Sequence, residues 1–157
     1  MTGECKLEPI RQVAGDGDRE RATESALRQI KPEWKLYSTP RFYFSDYHIN
    51  HDWGNGRENY IGDLEVKWLR SEIANGAVFP FQKLQKLMIA PPHTEGFGVF
   101  HRILFRFSDN SAIIPVKDLA HLIPRWHIRG DTQERDLVVD ANYSALEPYL
   151  LNAVITE

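Results

Sequence analysis

Residues 60–68 read YIGDLEVKW, and the prediction of both fold and function starts from this stretch. Polar and apolar residues alternate along it with a period of two, which predicts a β-strand. Asp63, Glu65 and Lys67 would then share one face of the strand, while apolar side chains cover the other. Two carboxylates on a half-buried strand repel one another, and a bound Mg²⁺ would relieve that repulsion. The pattern therefore predicts a metal site, with Lys67 facing a phosphate held by the ion, as metal-dependent phosphodiester cleavage requires.

A strand face in contact with solvent is the alternative interpretation of the same residues. Carboxylates and a lysine on such a face would form cross-strand ion pairs and show an identical pattern. An acidic residue two positions before a lysine also occurs at residues 4–6 and 33–35. The spacing therefore gains meaning only from its place in a strand with apolar neighbours.

Composition narrows the class of protein. The 157 residues are 42% hydrophobic and 11% aromatic, as expected for one globular domain rather than a disordered chain. No apolar run is long enough to span a bilayer, so no membrane association is expected. Cys5 is the single cysteine, which excludes an intrachain disulfide and a four-cysteine zinc site, and fits a cytoplasmic location.

Charge is unevenly distributed along the chain. The formal net charge is −3, but residues 66–130 carry nine Lys and Arg against four Asp and Glu, a balance of +5. Residues 131–157 carry one Arg and six acidic residues, a balance of −5. The middle of the chain is therefore predicted to offer a basic surface to a nucleic acid.

Periodicity and turn residues predict a mixed α/β or α+β domain with a mixed central sheet flanked by helices. Residues 1–18 are expected to be a flexible segment and residues 19–157 a single domain. The Asn55-Gly56 pair is the strongest hairpin signal. The expected elements, in chain order, are a helix over 19–30, one long or two shorter strands over 34–49, the charged strand over about 59–69, a helix over 81–89 with Pro80 as its first residue, strands over 99–107 and 112–116, and helices over 118–123 and 144–152.

With these elements, the chain resembles the PD-(D/E)XK nuclease superfamily. That family places an acidic residue on a first helix, an Asp at or before a central hairpin, and an acid-x-Lys motif on the next strand. The resemblance implies a restriction-endonuclease-like core in which Glu65 binds metal and Lys67 is a catalytic amine. It also implies a helix carboxylate, for which Glu24 is our choice, and Mg²⁺ as cofactor, with Mn²⁺ as a substitute.

The family's second metal-binding Asp has more than one candidate. Members usually place it ten or more residues before the acid-x-Lys motif, a spacing that Asp46 and Asp52 satisfy. Asp63 lies only two residues away, but strand geometry aligns it with Glu65. We therefore predict Asp63 and Glu65 as metal ligands, with Asp52 as the rival for the second carboxylate. The catalytic set is Asp63, Glu65, Lys67 and Glu24.

The expected activity is that of a metal-dependent endonuclease acting on DNA, with RNA as a second option. Basic residues predicted to grip the backbone phosphates are Lys83, Lys86, Arg102 and Arg106. A non-catalytic nucleic-acid-binding or assembly module on the same scaffold is the alternative. Oligomeric state stays open, and a two-fold symmetric homodimer is the arrangement common among nucleases that cut both strands.

Histidines offer a weaker alternative metal site. His48, His51 and Asp52 lie close in sequence, but a three-residue spacing on a regular strand places the two imidazoles on opposite faces. They could converge on zinc only if the backbone bends there.

Overall fold

The computed structural model describes residues 16–40, 43–89 and 99–155, with side chains from residue 19 onward. The fold is mixed α+β, with two sheets and three helices in this part of the chain. No helix in the described ranges combines the length and apolar character needed to cross a membrane.

A five-stranded sheet forms the larger part of the structure. Its strands, in chain order, are β1 (Trp34–Ser38), β2 (Tyr47–Gly54), β3 (Arg57–Trp68), β5 (Arg102–Arg106) and β6 (Ser111–Pro115). They lie side by side in this same order. Neighbours are antiparallel except for β3 and β5, which run parallel. A parallel pair needs a crossover connection, and the chain between β3 and β5 supplies it with helix α2 (Phe81–Ile89).

A three-stranded antiparallel sheet lies beside this core. It consists of β4 (Ala77–Pro80), β7 (Arg125–Ile128) and β8 (Arg135–Ala141), with β8 in the centre. A short helix, α3 (Tyr143–Leu146), follows β8. Because β4 immediately precedes α2, the small sheet is tied to the crossover between β3 and β5.

The β2–β3 hairpin carries the central strand. Asn55 and Gly56 have φ values of 55° and 76°, as a two-residue type I′ turn requires. Farther along, the pairing passes from Ile49–Gly62 to Asn50–Tyr60, so Ile61 is an extra residue in a β-bulge. The bulge changes which side chains of β3 share a face, and it brings Tyr60 to the side of Asp63.

Two hydrophobic clusters lie on opposite faces of the large sheet. Helix α1 (Asp16–Ile30) covers one face, where Leu27 packs with Tyr47, Leu64 and other apolar residues. On the other face, Leu84 of α2 packs in a cluster with Phe105 of β5 and with Val139 of the small sheet. The central strands are therefore covered on both sides, and a polar group on them must find a partner or a cavity.

Most predicted elements of the large sheet are confirmed. The region 34–49 forms two strands, the hairpin turns at Asn55-Gly56, and the crossover helix spans Phe81–Ile89 as expected. Helix α1 begins at Asp16, inside the segment predicted to be flexible, and residues 1–15 lie outside the described residues.

Three details of the prediction were wrong. Pro80 ends β4 instead of beginning α2. The region expected to form a helix over 118–123 contains only the end of a 3₁₀ turn at Val116–Asp118, and the last helix ends at Leu146 before a 3₁₀ turn. The small sheet was not expected.

Candidate functional site

Asp46 and Glu65 form a pair of carboxyl groups at the centre of the large sheet. Asp46 lies just before β2, where its N–H donates to the carbonyl of Leu64 over 3.0 Å. Its Oδ2 accepts the N–H of Val66 over 2.7 Å. These two bonds to the main chain of β3 place the Asp46 side chain beside Glu65, and the two carboxyl groups hydrogen-bond each other.

The pair is electrostatically strained. Glu65 is 5% exposed, and burial together with the neighbouring Asp46 raises its pKa to about 7. Asp46 is exposed as a residue, but partial desolvation of its carboxyl raises its pKa, although the Val66 N–H and the Lys83 ammonium oppose this effect. Two carboxyl groups that resist simultaneous ionisation gain from a cation between them. Their hard oxygen atoms suit Mg²⁺ or Mn²⁺.

Two lysines flank the carboxyl pair. Lys83, on the first turn of α2, lies 2.6 Å from Glu65 Oε2 and keeps 44% of its side chain exposed. Lys67 is half-buried and follows Glu65 by two positions on β3, so both side chains project from the same face. Burial lowers the pKa of Lys67, and the nearby charges of Lys83 and Arg129 lower it further.

Arg129 brings the small sheet to this site. It follows β7 in the turn toward β8, where Asp136 accepts from its Nε over 2.9 Å. Glu134 lies 3.6 Å from the same guanidinium. The electrostatic effect of Arg129 on Lys67 shows that the β7–β8 hairpin reaches the vicinity of the carboxyl pair. Lys83 and Lys67 thus lie beside the acidic pair, and Arg129 lies near Lys67.

Asp63 does not join Glu65, although it lies on the same strand face. It is fully buried, and Ser45 donates to its Oδ2 over 2.9 Å. Its Oδ1 pairs with His48 Nδ1 at 2.7 Å and accepts the hydroxyl of Tyr60. The bulge at Ile61 makes the last contact possible, because residues 60 and 63 would face opposite sides of a regular strand. Three partners saturate this carboxylate.

Asp52 is remote from the carboxyl pair. It pairs with Glu58, seven residues before Glu65 on β3, which places it about 20 Å away. Its Oδ1 accepts the N–H of Gly54 and so supports the hairpin turn over 2.9 Å. His51 stacks against Trp53 near this turn, with ring centroids 4.1 Å apart. His48, bound to Asp63, is separate, so the histidine-based site is not assembled.

Glu24 approaches the site from the opposite face of the sheet. The Tyr47 hydroxyl contacts the carbonyl of Glu20 at 3.4 Å. Burial raises the pKa of Tyr47, and the charges of Glu24, Glu20 and Asp46 add to this rise. Glu24 thus lies near Tyr47, the first residue of β2, which directly follows Asp46.

The four basic residues predicted to bind phosphate divide into two groups. Lys83 and Lys86 lie exposed on α2, on the side of Glu65. Arg102 and Arg106 are 9% and 1% exposed on the opposite face of β5. Arg106 donates to Thr23 over 2.6 Å and to the Ile155 carbonyl over 2.5 Å, which leaves it out of reach of a duplex on the outer surface.

Sequence reasoning passed over Asp46 in favour of Asp63 and Asp52. The signal that could have selected Asp46 was its spacing, nineteen residues before Glu65, directly ahead of the hairpin strand.

No group of three or more His, Cys, Asp or Glu side chains arranged for metal binding occurs in the described residues. The site therefore offers two carboxylates, those of Asp46 and Glu65. Comparisons with protein families, with curated proteins and with solved structures found no match to the chain.

Proposed function

We propose that this protein is a metal-dependent nuclease that hydrolyses phosphodiester bonds in DNA in the cytoplasm. The observation that carries the proposal is the Asp46–Glu65 pair with Lys67 two residues farther along the same strand face. An Asp ahead of the hairpin strand and an acid-x-Lys motif on the next strand are the features that the PD-(D/E)XK resemblance requires.

The strand arrangement supports the same proposal. The resemblance calls for a first helix, a hairpin bearing the motif, a crossover helix and a further strand. Helix α1, the β2–β3 hairpin, α2 and β5 occur in that order, with β3 and β5 adjacent and parallel. We propose that these elements constitute a restriction-endonuclease-like core.

The donor set of the site fits a magnesium ion. Asp46 and Glu65 would bind it through carboxylate oxygens, with water in the remaining positions. When bound, Mg²⁺ supplies Lewis-acid polarisation of a phosphoryl oxygen and lowers the pKa of a water. Glu65, whose pKa is raised to about 7, would lose its proton when the ion binds.

The remaining residues position substrate and nucleophile. Burial and neighbouring cations lower the pKa of Lys67, and its ammonium would donate a hydrogen bond to the attacking water and orient it. The same amine lies where it can stabilise negative charge on phosphorus. Lys83 would exchange its ion pair with Glu65 for a DNA phosphate, with Lys86 and Arg129 alongside.

Plasmid nicking in Mg²⁺ tests the proposal. We expect Asp46→Ala, Glu65→Ala and Lys67→Ala each to lower the cleavage rate about a hundredfold or more, because each removes a transition-state interaction. Asp52→Ala is the matched control, since it removes the same chemical group about 20 Å away, next to the hairpin turn at the other end of β2. It should cleave like the unaltered chain. Equal cleavage by all variants would refute the proposal.

A second function is favoured by one observation, the 2.6 Å ion pair between Lys83 and Glu65. This pair neutralises Glu65 without a metal, as expected of a binding or assembly module that does not cut. Retention of a DNA fragment in Ca²⁺, with no cleavage in Mg²⁺ or Mn²⁺, would favour this function.

A further inference from the structure

A cavity of about 480 Å³ lies on the face of the large sheet opposite Glu65. Small-molecule sites commonly occupy about 300–1,000 Å³. Arg102 lines it and pairs in register with Leu64, so its side chain projects away from the face that carries Glu65. The cavity is therefore separate from the candidate catalytic site.

The guanidinium of Arg102 is buried without a neutralising charge. Only 9% of the residue is exposed, and Nη1 donates to the carbonyls of Ile61 and Phe100, each over 3.0 Å. Burial lowers the pKa of Arg102 to about 10. Among the described residues no carboxylate forms an ion pair with it, and no acceptor is present for Nε or Nη2. The rings of Phe100 and Trp34, with centroids 3.8 Å and 5.2 Å from its Cζ, stabilise the faces of the guanidinium, but its free edge has no anion beside it.

A second cation and several flat or apolar side chains complete the lining. Lys31 lies 5.6 Å from the centroid of the Trp34 ring, and both residues line the cavity. Tyr149 and Leu151 contribute apolar surface, and no acidic residue lines the cavity in the part of the chain that is described. Two positive charges beside aromatic and aliphatic walls fit a phosphate carried by a flat, apolar body.

We infer that this cavity binds a nucleoside monophosphate unit, with the phosphate on the free Nε and Nη2 donors of Arg102 and the base against Trp34. A planar guanidinium edge with two parallel donors matches two phosphate oxygens. Lys31 supplies the second charge of a phosphate dianion. The unit has two sources with the same chemistry: a free nucleotide, or the 5′-phosphorylated end of a strand. The inference does not depend on catalysis at Glu65.

Arg102 also has a structural role, because its Nη1 holds the Ile61 and Phe100 carbonyls together. Arg102→Gln removes the charge while its amide can still donate to a carbonyl. Lys31→Ala removes the second charge without touching these backbone contacts. Arg28→Ala, on the exposed last turn of α1, is a control that removes one positive charge elsewhere.

Tryptophan fluorescence titrations in EDTA test the inference, since chelation prevents metal-dependent binding at Glu65. The probes are the four nucleoside monophosphates, inorganic phosphate, and a short oligonucleotide with and without a 5′-phosphate. We expect saturable quenching by nucleoside monophosphates or by the phosphorylated strand, according to the source, and no such signal in Trp34→Phe.

The variants provide the decisive comparison. Lys31→Ala and Arg102→Gln should each weaken binding about tenfold or more, whereas Arg28→Ala and Glu65→Ala should bind like the unaltered chain. Thermal melting shows whether each variant folds. If Arg102→Gln is unfolded, the affinity of Lys31→Ala alone tests the inference. Absence of saturable binding, equal weakening by Arg28→Ala, or inorganic phosphate binding as tightly as a nucleotide would each overturn the assignment. A chain that binds nucleotide but never nicks DNA would disprove only the catalytic proposal.

Discussion

Glu65 illustrates how one buried side chain links stability to function. Its neighbours are an acid and an amine, and its pKa of about 7 means that it exchanges its proton near neutrality. Sequence periodicity was sufficient to place Glu65 and Lys67 on the same strand face. It could not select Asp46, because that choice depends on how the chain enters β2 and on the N–H of Val66.

The raised pKa of Glu65 predicts that stability falls with pH. The folded state retains a proton that the unfolded chain loses near pH 4.5, so the free energy of unfolding should decline between about pH 4.5 and 7. The decline is on the order of 3 kcal/mol for a shift of this size. Urea unfolding at pH 5 and pH 8 should show it for the unaltered chain and much less for Glu65→Gln. The exposed Glu72→Gln control should follow the unaltered chain, and parallel curves for all three would contradict the prediction.

Asp63 is expected to matter for folding rather than for metal binding. Removing a buried carboxylate with three partners takes away the acceptor of the Ser45, His48 and Tyr60 bonds, so Asp63→Ala should lower the free energy of unfolding by about 3 kcal/mol or more. Ser45→Ala removes one of these bonds and should cost about 1 kcal/mol. Urea denaturation measures both. Mg²⁺ affinity that falls in Asp63→Ala at unchanged stability would instead make Asp63 a ligand.

At the scale of elements, strands and helices with local signals were predictable and the small sheet was not. The Asn55-Gly56 turn, the alternation in β3 and the apolar face of α2 are all encoded within a few residues. Strands β4, β7 and β8 are short, and β4 pairs with residues about sixty positions away. Arg102 and Arg106 were placed on the surface because charges on a strand usually face water, whereas both project into the α1 side of the sheet.

The bulge in β3 depends on glycine at position 62. Its φ is 134°, and a Cβ there would lie 1.8 Å from the carbonyl oxygen of Phe100. Gly62→Ala should therefore destabilise the protein by about 3 kcal/mol or more, or prevent folding. Gly130→Ala, where a Cβ would meet nothing within 4 Å, should leave the melting temperature nearly unchanged. Similar melting temperatures for the two variants would show that the close approach to Phe100 is not needed.

For the molecule as a whole, charge is organised by the fold and not by the chain's net value of −3. The acidic residues Glu134 and Asp136 of the last segment hold Arg129 near Lys67 and Lys83, so acidic and basic regions of the sequence are neighbours in space. Counting charges along the chain predicted a basic surface from residues 66–130. It gave no indication that two arginines of that region would be buried on the α1 side of the sheet, one of them, Arg102, lining a separate cavity.

The basic side chains around Glu65 should determine how binding responds to salt. In Ca²⁺, DNA affinity should fall with rising KCl, and Arg129→Ala should reduce the slope of log affinity against log salt by about one, because one phosphate contact is lost. Arg28→Ala removes the same charge on the α1 side and should keep the slope. Fluorescence anisotropy between 50 and 200 mM KCl measures both slopes. Over this range, a protein that makes about six to ten phosphate contacts loses much of its affinity. Identical slopes would place the DNA elsewhere.

The hairpin turn between β2 and β3 gives a practical opportunity. Added Cβ atoms at Gly54 and Gly56 would meet nothing within 4 Å, so the turn stands clear of the rest of the protein. A peptide tag or a dye inserted there would be carried on two paired strands about 20 Å from the carboxyl pair. Such a label would report complex formation by energy transfer and would leave both the cavity and the carboxyl pair unaltered.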